Sequence, residues 1–594
     1  MEQAISGPNV SRRDAIGGAL AAGVAVTLGN MFDAKEAHAD EEESPSGNAE
    51  YSFQEKPDDI DESEIVEDID CDIVVVGAGV AGMPAIMYAA SQGADVQVLE
   101  KGPTQGVHRL SVAGINSKLM VEAADGERVD PKEYTQDFFR YSGGFQSKVP
   151  VVSRYAKDSG AWIDWLSDKM AEYGWSLTPY PDDTVKNDTG FWTSYPGAFW
   201  FVDADGNSVS TGASPNWMEL FREIGEDNGA VFHFDEPGVR LIRDEDSGRV
   251  TSVISQSKID GSYRRYNASM GILLAAGDFY NDKEMVHKYC PHLEKCVSSI
   301  AEPNNTGDMH KAGIWVGAAM DDYSAGDLFA FENASCQNWV APVEGDSTYS
   351  ASLDSTRGCM WAPSIAGFPV LWVDDGGRRF VNEDQNTFQQ AGAQAVLGTP
   401  TGLAWSIWDS AWESKFPEGW ETSSVGVLLQ LMSVNSQEEL DREVELGLIQ
   451  KYDTIDELIE GCDLDADTFN ETLERYNYLC EQGYDEDCYK DAEWLTTIDT
   501  PPYYAAQWGV MITSTRCGLK TDEHARVIDT EGKVIPGLYA AGNNGGNFYG
   551  IIYPATMGGT GIGHGQFYSW VAARDMLGED VIYTDFSSDD SDEE

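Results

Sequence analysis

Positive charge is what this sequence has least of. Over 594 residues, 39 Lys plus Arg stand against 101 Asp plus Glu, a formal net charge of −62. Such a chain repels nucleic acid and anionic lipid, which excludes a nucleic-acid partner and leaves room for a basic protein partner. Cysteine is sparse and scattered: nine residues, with no Cys-x-x-Cys pair to build a zinc or iron–sulfur site and no Cys-x-x-Cys-His for c-type haem. No bound metal is expected, and electrons have to come from another molecule. Long apolar runs are also missing. The run Ala15–Gly29 is shorter than the roughly 20 residues of a membrane span, so no stable membrane insertion is expected.

The N-terminus carries an address. Ser11-Arg12-Arg13-Asp14 precedes that weakly apolar run, and Ala37-His38-Ala39 offers a small-x-small cleavage site. The order resembles a twin-arginine signal over residues 1–39, which implies export already folded to a periplasmic or cell-surface location. From 40 to 66 acids dominate, with Lys56 the sole cation, and this reads as a solvated linker; residues 585–594 read as an acidic tail.

Ile73-Val74-Val75-Val76 has the β-branched character of a strand buried on both faces of a parallel sheet. Met83–Ser91 reads as a helix, and Val96–Leu99 as a second strand ending at Glu100. Between strand and helix lies Gly77-Ala78-Gly79-Val80-Ala81-Gly82, a dinucleotide-binding G-x-G-x-x-G. Gly77 makes the tight turn, Gly79 admits the pyrophosphate to the backbone and Gly82 lets helix and strand pack closely. The helix N-terminus steadies phosphate charge and Glu100 accepts from ribose hydroxyls.

Beyond the turn, the chain resembles the fumarate reductase family of FAD-dependent flavoproteins, a group that includes flavocytochrome c, urocanate reductases and 3-ketosteroid dehydrogenases. Glu100-Lys101-Gly102-Pro103 is similar to its ribose-binding segment, and the stretch Gly106 to Asn116, with His108 and Gly114, to its loop past the flavin phosphates. Ala275-Ala276-Gly277-Asp278-Phe279 resembles "ATGGF", Thr306-Gly307-Asp308 resembles "TGDG", and Gly537 to Asn543, including Gly542, resembles "GLYAAGE". The resemblance makes FAD the cofactor and adds Gly559, Thr560, Gly561 and Ile562, at the start of a helix, to the residues that hold it. It implies an α/β chain: a Rossmann-like, glutathione-reductase-type FAD domain over 67–335 and 500–584, with an inserted α+β substrate cap over 336–499.

In the family, cationic side chains hold a dicarboxylate substrate. At the matching positions this chain has Ser514 for a His, no Arg in Ile552 to Thr560, and Trp408 to Glu413 where the proton-donating Arg stands. Loss of charge there argues against a C4 dicarboxylate. Tyr553-Pro554 resembles instead the "YPGPGAT" of 3-ketosteroid dehydrogenases, where a phenol and a glycine N–H polarise a ketone. The expected reaction is reduction of the polarised C=C bond of an enone or enoate, with hydride from flavin N5 and a proton from an acid. Tyr553 and Gly559 with its neighbour Gly558 hold the carbonyl, and Arg516 and Glu383 are the candidates for the proton path. Met557, Trp361, Trp405, Trp408 and Trp412 are candidates to line an apolar pocket. An exported member without haem implies an external donor, such as a membrane-anchored multihaem cytochrome in anaerobic respiration. The rival readings are a ketosteroid-type dehydrogenase running oxidatively and a flavin electron carrier.

His108-Arg109-Leu110-Ser111-Val112-Ala113-Gly114 shares H-x-x-S-x-x-G with succinate dehydrogenase flavoproteins, whose His bonds covalently to FAD. The alignment with soluble fumarate reductases places His108 beside the pyrophosphate instead. Acid precipitation of the holoprotein is therefore expected to leave a yellow supernatant and a colourless pellet; flavin fluorescence in the pellet would establish the covalent bond.

Overall fold

The computed structural model describes residues 50–579 apart from 107–110, 145, 181–183, 189–192, 209–214, 246, 297, 300–303, 334–368, 384–389, 418–436, 446, 448 and 555. The expected signal and acidic tail lie outside the described residues, as do His108 and Trp361. The chain divides into Met1–Ser52 and Phe53–Glu594, and the second unit carries the fold and the site.

The β-branched run forms the buried half of strand β1 (Ile65–Val76), followed by helix α1 (Met83–Ser91) and strand β2 (Val96–Leu99), as the sequence predicts. Ile73 and Val75 face the apolar core that α1 joins, while Val74 and Val76 face a second core on the other side of the sheet. Both faces being covered is why the run carries no polar alternation. Each such side chain withdrawn from water contributes on the order of 1.5–3 kcal/mol. Helix α2 (Val149–Ala171) helps cover the first face. Strands β3 (Val231–His233) and β4 (Tyr263–Leu274) extend the sheet: β1 runs parallel to β2 and β4, and β2 parallel to β3. Helix α3 (Asp308–Trp315) sends Met309 and Ala312 into the second core.

The chain then enters another sheet, built from β5 (Ala325–Asn333), β6 (Leu371–Val373), β7 (Ala404–Asp409), β8 (Gln450–Tyr452) and β9 (Tyr503–Arg516). Strand β9 is its spine. Its first residues pair with β7 and β8, and its later ones with β5, in the register Ala325 to Arg516 through Asn333 to Trp508. Helix α4 (Ala466–Gln482) buries Phe469, Leu473 and Tyr476 against this sheet. The second sheet takes its strands β5 and β9 from outside the stretch 336–499 expected as a cap, and the chain from Phe53 to Glu594 forms one compact unit. The chain returns through β10 (Arg526–Ile528) and β11 (Val534–Ala540), the latter parallel to β4, and then forms α5 (Thr560–Met576). Among the described residues no helix is long and apolar enough to cross a membrane, and no cluster of His, Cys, Asp and Glu is placed to hold a metal.

Several expected pocket residues serve the cap interior instead. Trp405 belongs to the cap core with Leu371, Ile407 and Phe469. Trp408 stacks on Tyr504 at 5.8 Å, and Trp412 meets Phe416 edge-on at 5.5 Å. Glu383, expected on a proton path, is held in a buried ion cluster. Arg379 donates to both its oxygens at 2.8 and 2.7 Å and to Asp485 at 2.7 Å, and Lys490 lies 3.7 Å away. Glu383 thus shares its charge with two buried cations and helps hold this part of the fold together. Arg378, by contrast, is exposed, as a turn residue should be.

Burial pushes the Asp485 carboxyl up, but the Arg379 bond and the amides of Cys488 and Lys490 pull it down further, to about 2. A depressed folded-state value means that this contribution to stability is complete above the unfolded carboxylate range near 3.9 and disappears as pH falls through about 2. Hydrogen exchange of 371–379 is expected to accelerate between pH 4 and pH 2, and Asp485→Asn to remove that dependence. Arg379→Met, which strands two buried carboxylates, should cost about 3–5 kcal/mol by denaturant titration.

Candidate active site

The glycine turn shows which of its residues the protein itself requires. A Cβ at Gly77 (φ +108°) would stand 2.3 Å from the carbonyl oxygen of Ala275, and one at Gly82 1.9 Å from that of Gly77. Gly79 differs, since a Cβ there would meet nothing within 4 Å. Among the described residues no neighbour explains that glycine, and the space beside it, at the N-terminal side of α1, fits a dinucleotide pyrophosphate. Glu100 caps the same turn, accepting from the amides of Ala78 at 2.8 Å and Gly102 at 2.7 Å. Val80 and Ala81 pack against the first core.

Lys101 and Asp308, expected as cofactor contacts, are brought together in an ion pair at 2.9 Å. Burial raises the Asp308 carboxyl, yet Lys101 outweighs it and the net direction is down. Gly114 is explained by packing alone, because a Cβ there would lie 2.4 Å from Ile163 of α2.

The later segments converge on the same region. Ala275 donates to Val76 at 2.8 Å, Ala276 donates to the Asn544 side chain at 2.5 Å, and Gly277 (φ +83°) leaves no room between itself and Asn305. Gly542 (φ +63°) sits against Ala81. Gly559 (φ +70°) precedes α5 and touches Ser111, while Thr560 donates to the Met557 carbonyl at 2.8 Å and Ile562 is partly buried against the first core. The N-terminus of α5, a helix of 17 residues, gives the region a positive end suited to an electron-rich ring.

Arg516 ends β9 and gathers several polar and aromatic groups around it. Its guanidinium pairs with Asp327 of β5, donates to the Asn543 side chain at 2.8 Å, and lies 5.2 Å from the Tyr553 ring and 5.9 Å from the Tyr549 ring. The Tyr553 hydroxyl accepts from the Gly561 amide at 2.9 Å. The amide beside the phenol is therefore that of Gly561, not the expected Gly559, because the helix starts at Thr560 and Gly559 is spent on the left-handed turn before it. Burial, followed by the Asp327 charge, pushes the Tyr553 phenol up and keeps it protonated as a donor. Burial pulls His564 down to about 3, so the imidazole is neutral where it meets the Tyr549 hydroxyl at 3.1 Å. Thr556, within the stretch where the resembling family has an Arg, is buried. Asp327, Tyr549 and His564 are site residues that sequence reading missed. Asp327 lies 189 residues from its partner, and only strand pairing joins them.

The turn offers a test independent of turnover. Gly82→Ala is expected to destabilise the protein even without cofactor, because it drives a Cβ into the Gly77 backbone. Gly79→Ala should leave apoprotein stability within about 1 kcal/mol while weakening FAD binding at least tenfold by fluorescence titration. An unchanged FAD affinity in Gly79→Ala would reject the assignment of that space.

Comparison with known proteins agrees with this geometry. A family model described as FAD binding domain matches residues 72–561. The chain is 27% identical over 505 residues to the vinyl phenol reductase of Lactiplantibacillus plantarum, covering 84% of this chain and 94% of that one. It is 25% identical over 546 residues to the NADH:acrylate oxidoreductase of Vibrio harveyi, covering 80% of this chain and 48% of the relative. Among solved structures, the 3-ketosteroid delta1-dehydrogenase of Sterolibacterium denitrificans superposes with a TM-score of 0.64 at 20% identity, over 86% of this chain and 99% of that one, and shares the fold. The glycine turn, the converging segments and a match over most of the chain lead to one conclusion: this protein belongs to the FAD binding domain family and is an FAD-dependent oxidoreductase.

Proposed function

We propose that the protein reduces the polarised C=C bond of a small molecule, an enone or enoate, and that C4 dicarboxylates are not its substrates. The observation that carries this reading is the pairing of the Tyr553 hydroxyl with the Gly561 amide, 2.9 Å apart, beside Arg516. The Gly561 amide donates to the phenol oxygen and leaves the phenol O–H to donate onward, which suits a carbonyl oxygen that becomes negative only in the transition state. Among the described residues of this site Arg516 is the cation, and Asp327 neutralises it. A dicarboxylate would enter without enough free positive charge to replace its hydration. The relatives named vinyl phenol reductase and NADH:acrylate oxidoreductase support reduction of a C=C bond.

FAD, when bound, supplies the hydride. The protein's own residues bind and orient: Tyr553 donates toward the carbonyl, Asn543 and Asp327 hold the Arg516 guanidinium in place, and the cap excludes water. The same pair would polarise a ketone in the oxidative direction, so a 3-ketosteroid-type dehydrogenase is the second reading, favoured by the likeness to that fold. We further propose export by the twin-arginine route and an external, basic electron donor such as a membrane-anchored multihaem cytochrome, to which the charge of −62 is complementary.

Anaerobic assay with reduced methyl viologen against enones, cinnamates, a vinyl phenol and fumarate tests the reading. Oxidation of the dye is expected with one of the first three classes, and Tyr553→Phe should lower kcat by about 10²–10³. Turnover of fumarate alone would overturn it, and product formation only with an artificial oxidant would transfer it to the dehydrogenase.

A further inference from the structure

Asp278 occupies a position where the resembling segment "ATGGF" has its second glycine, and this substitution puts a carboxylate into the protein interior. The side chain is fully buried, with 0% exposure. Oδ2 accepts from the Thr515 amide at 2.6 Å and faces the Thr515 hydroxyl at 3.4 Å. Among the described residues Oδ1 has no donor in hydrogen-bonding geometry, although the Asn305 side chain is near enough to favour the charged form. A buried carboxylate ordinarily has its lone pairs satisfied or a cation against it. This one has a single good bond, and the Arg516 charge nearby is already committed to Asp327.

Its location gives this incomplete environment a consequence. Asp278 follows Gly277 in the turn that touches Gly77, at the C-terminal end of β4, the edge of a parallel sheet where ligands bind. Its carboxylate bonds to the residue immediately before Arg516. It therefore connects the dinucleotide turn to the groups around Arg516.

We propose that Asp278 is a redox-linked proton site: its carboxylate binds one proton from solvent when the bound FAD is reduced and releases it when the FAD is reoxidised. In the balanced step, FAD takes two electrons and one proton from the donor and solvent and becomes an anion. A second proton converts the Asp278 carboxylate to the neutral acid, so that the pair of events adds two electrons and two protons to the holoprotein. The driving force is repulsion between a new negative charge on the cofactor and a carboxylate that burial already disfavours. At interior distances, such a charge raises proton affinity on the order of tenfold to a hundredfold.

Burial holds the Asp278 carboxyl up, at about 6, against the Thr515 amide, Asn305 and Arg516, which favour the charged form. The groups facing it are Thr515 and Arg516 of β9, Asn305 ahead of α3, and the thiol of Cys290, itself pushed up by burial. In oxidised protein the site is thus mainly ionised at pH 7.5 and mainly protonated at pH 5. Asp321, the other buried acid at this strand end, accepts from the Asn547 amide through both oxygens at 3.1 and 3.2 Å and also from the Gly518 amide at 3.4 Å, so it lacks the unbonded oxygen of Asp278.

The test is the pH dependence of the flavin midpoint potential in the holoprotein, with dithionite as reductant and mediator dyes. With a value of about 6 in oxidised protein raised tenfold to a hundredfold on reduction, the wild type is expected to take up roughly 1.4–1.8 protons per two electrons at pH 7 and close to one at pH 5, and Asp278→Asn one proton at both. A wild-type slope of one proton at pH 7, or an Asp278→Asn slope there as steep as the wild type's, overturns the proposal. If Asp278→Asn does not hold FAD, infrared difference spectra of the wild type decide. Reduction at pH 7.5 should produce a protonated-carboxyl stretch that shifts in deuterium oxide, and its absence would reject the site.

Discussion

A guanidinium cannot be left uncompensated in a protein interior, and the arrangement around Arg516 arises from that requirement. Taking the charge out of water is tolerable only if a carboxylate and further acceptors replace the lost hydration. Asp327 supplies the carboxylate and Asn543 the next acceptor. Asp327 comes from β5, Arg516 from β9 and Asn543 from the turn after β11, so the pairing registers the two strands that cross between domains against the dinucleotide half of the fold. Gly561 then has to be glycine, since a Cβ there would lie 2.4 Å from Arg516 Nη2. That leaves the Gly561 amide free to face Tyr553. The polar pair assigned to substrate recognition is thus a consequence of where one charge is buried.

Two ion-pair arrangements in the molecule do different work. Beside the second sheet, Arg379, Glu383, Asp485 and Lys490 satisfy one another. At the site, Arg516 is satisfied by residues from distant parts of the chain and still presents its planar face to two tyrosine rings. The first arrangement stabilises a domain. The second joins the end of β9 to β5 and to the turn after β11.

These differences account for what could be read from the sequence. The strand, turn, helix and strand of the dinucleotide site were legible because each is local: the β-branched run, the glycines and the helical stretch specify one another within about thirty residues. Tyr553 and Arg516 were legible as residues out of place against a resembling pattern. The ion pairs of Glu383 were not legible, because an acid after Arg-Arg-Phe-Val-Asn looks the same whether it faces a substrate or a neighbouring arginine. Trp405, Trp408 and Trp412 were misread for a related reason, since an aromatic ring is equally suited to a pocket and to a core. The amide of Gly561, close to the expected Gly559, depended on where a helix begins, which sequence locates only to within a few residues.

Strand β9 has a mechanical consequence. It is 14 residues long, roughly 45 Å at the rise of an extended strand, with one end paired into the cap and the other carrying Arg516. A hydrogen-bonded strand resists stretching and bending within its sheet, so it behaves as a lever and not as a tether. A displacement of the strands paired to its first half is transmitted along that lever to the guanidinium and its Asp327 partner. The position of β7 and β8 and the alignment of Arg516 are coupled through one rigid member, and a lengthened or broken strand would separate them without altering the residues around the guanidinium.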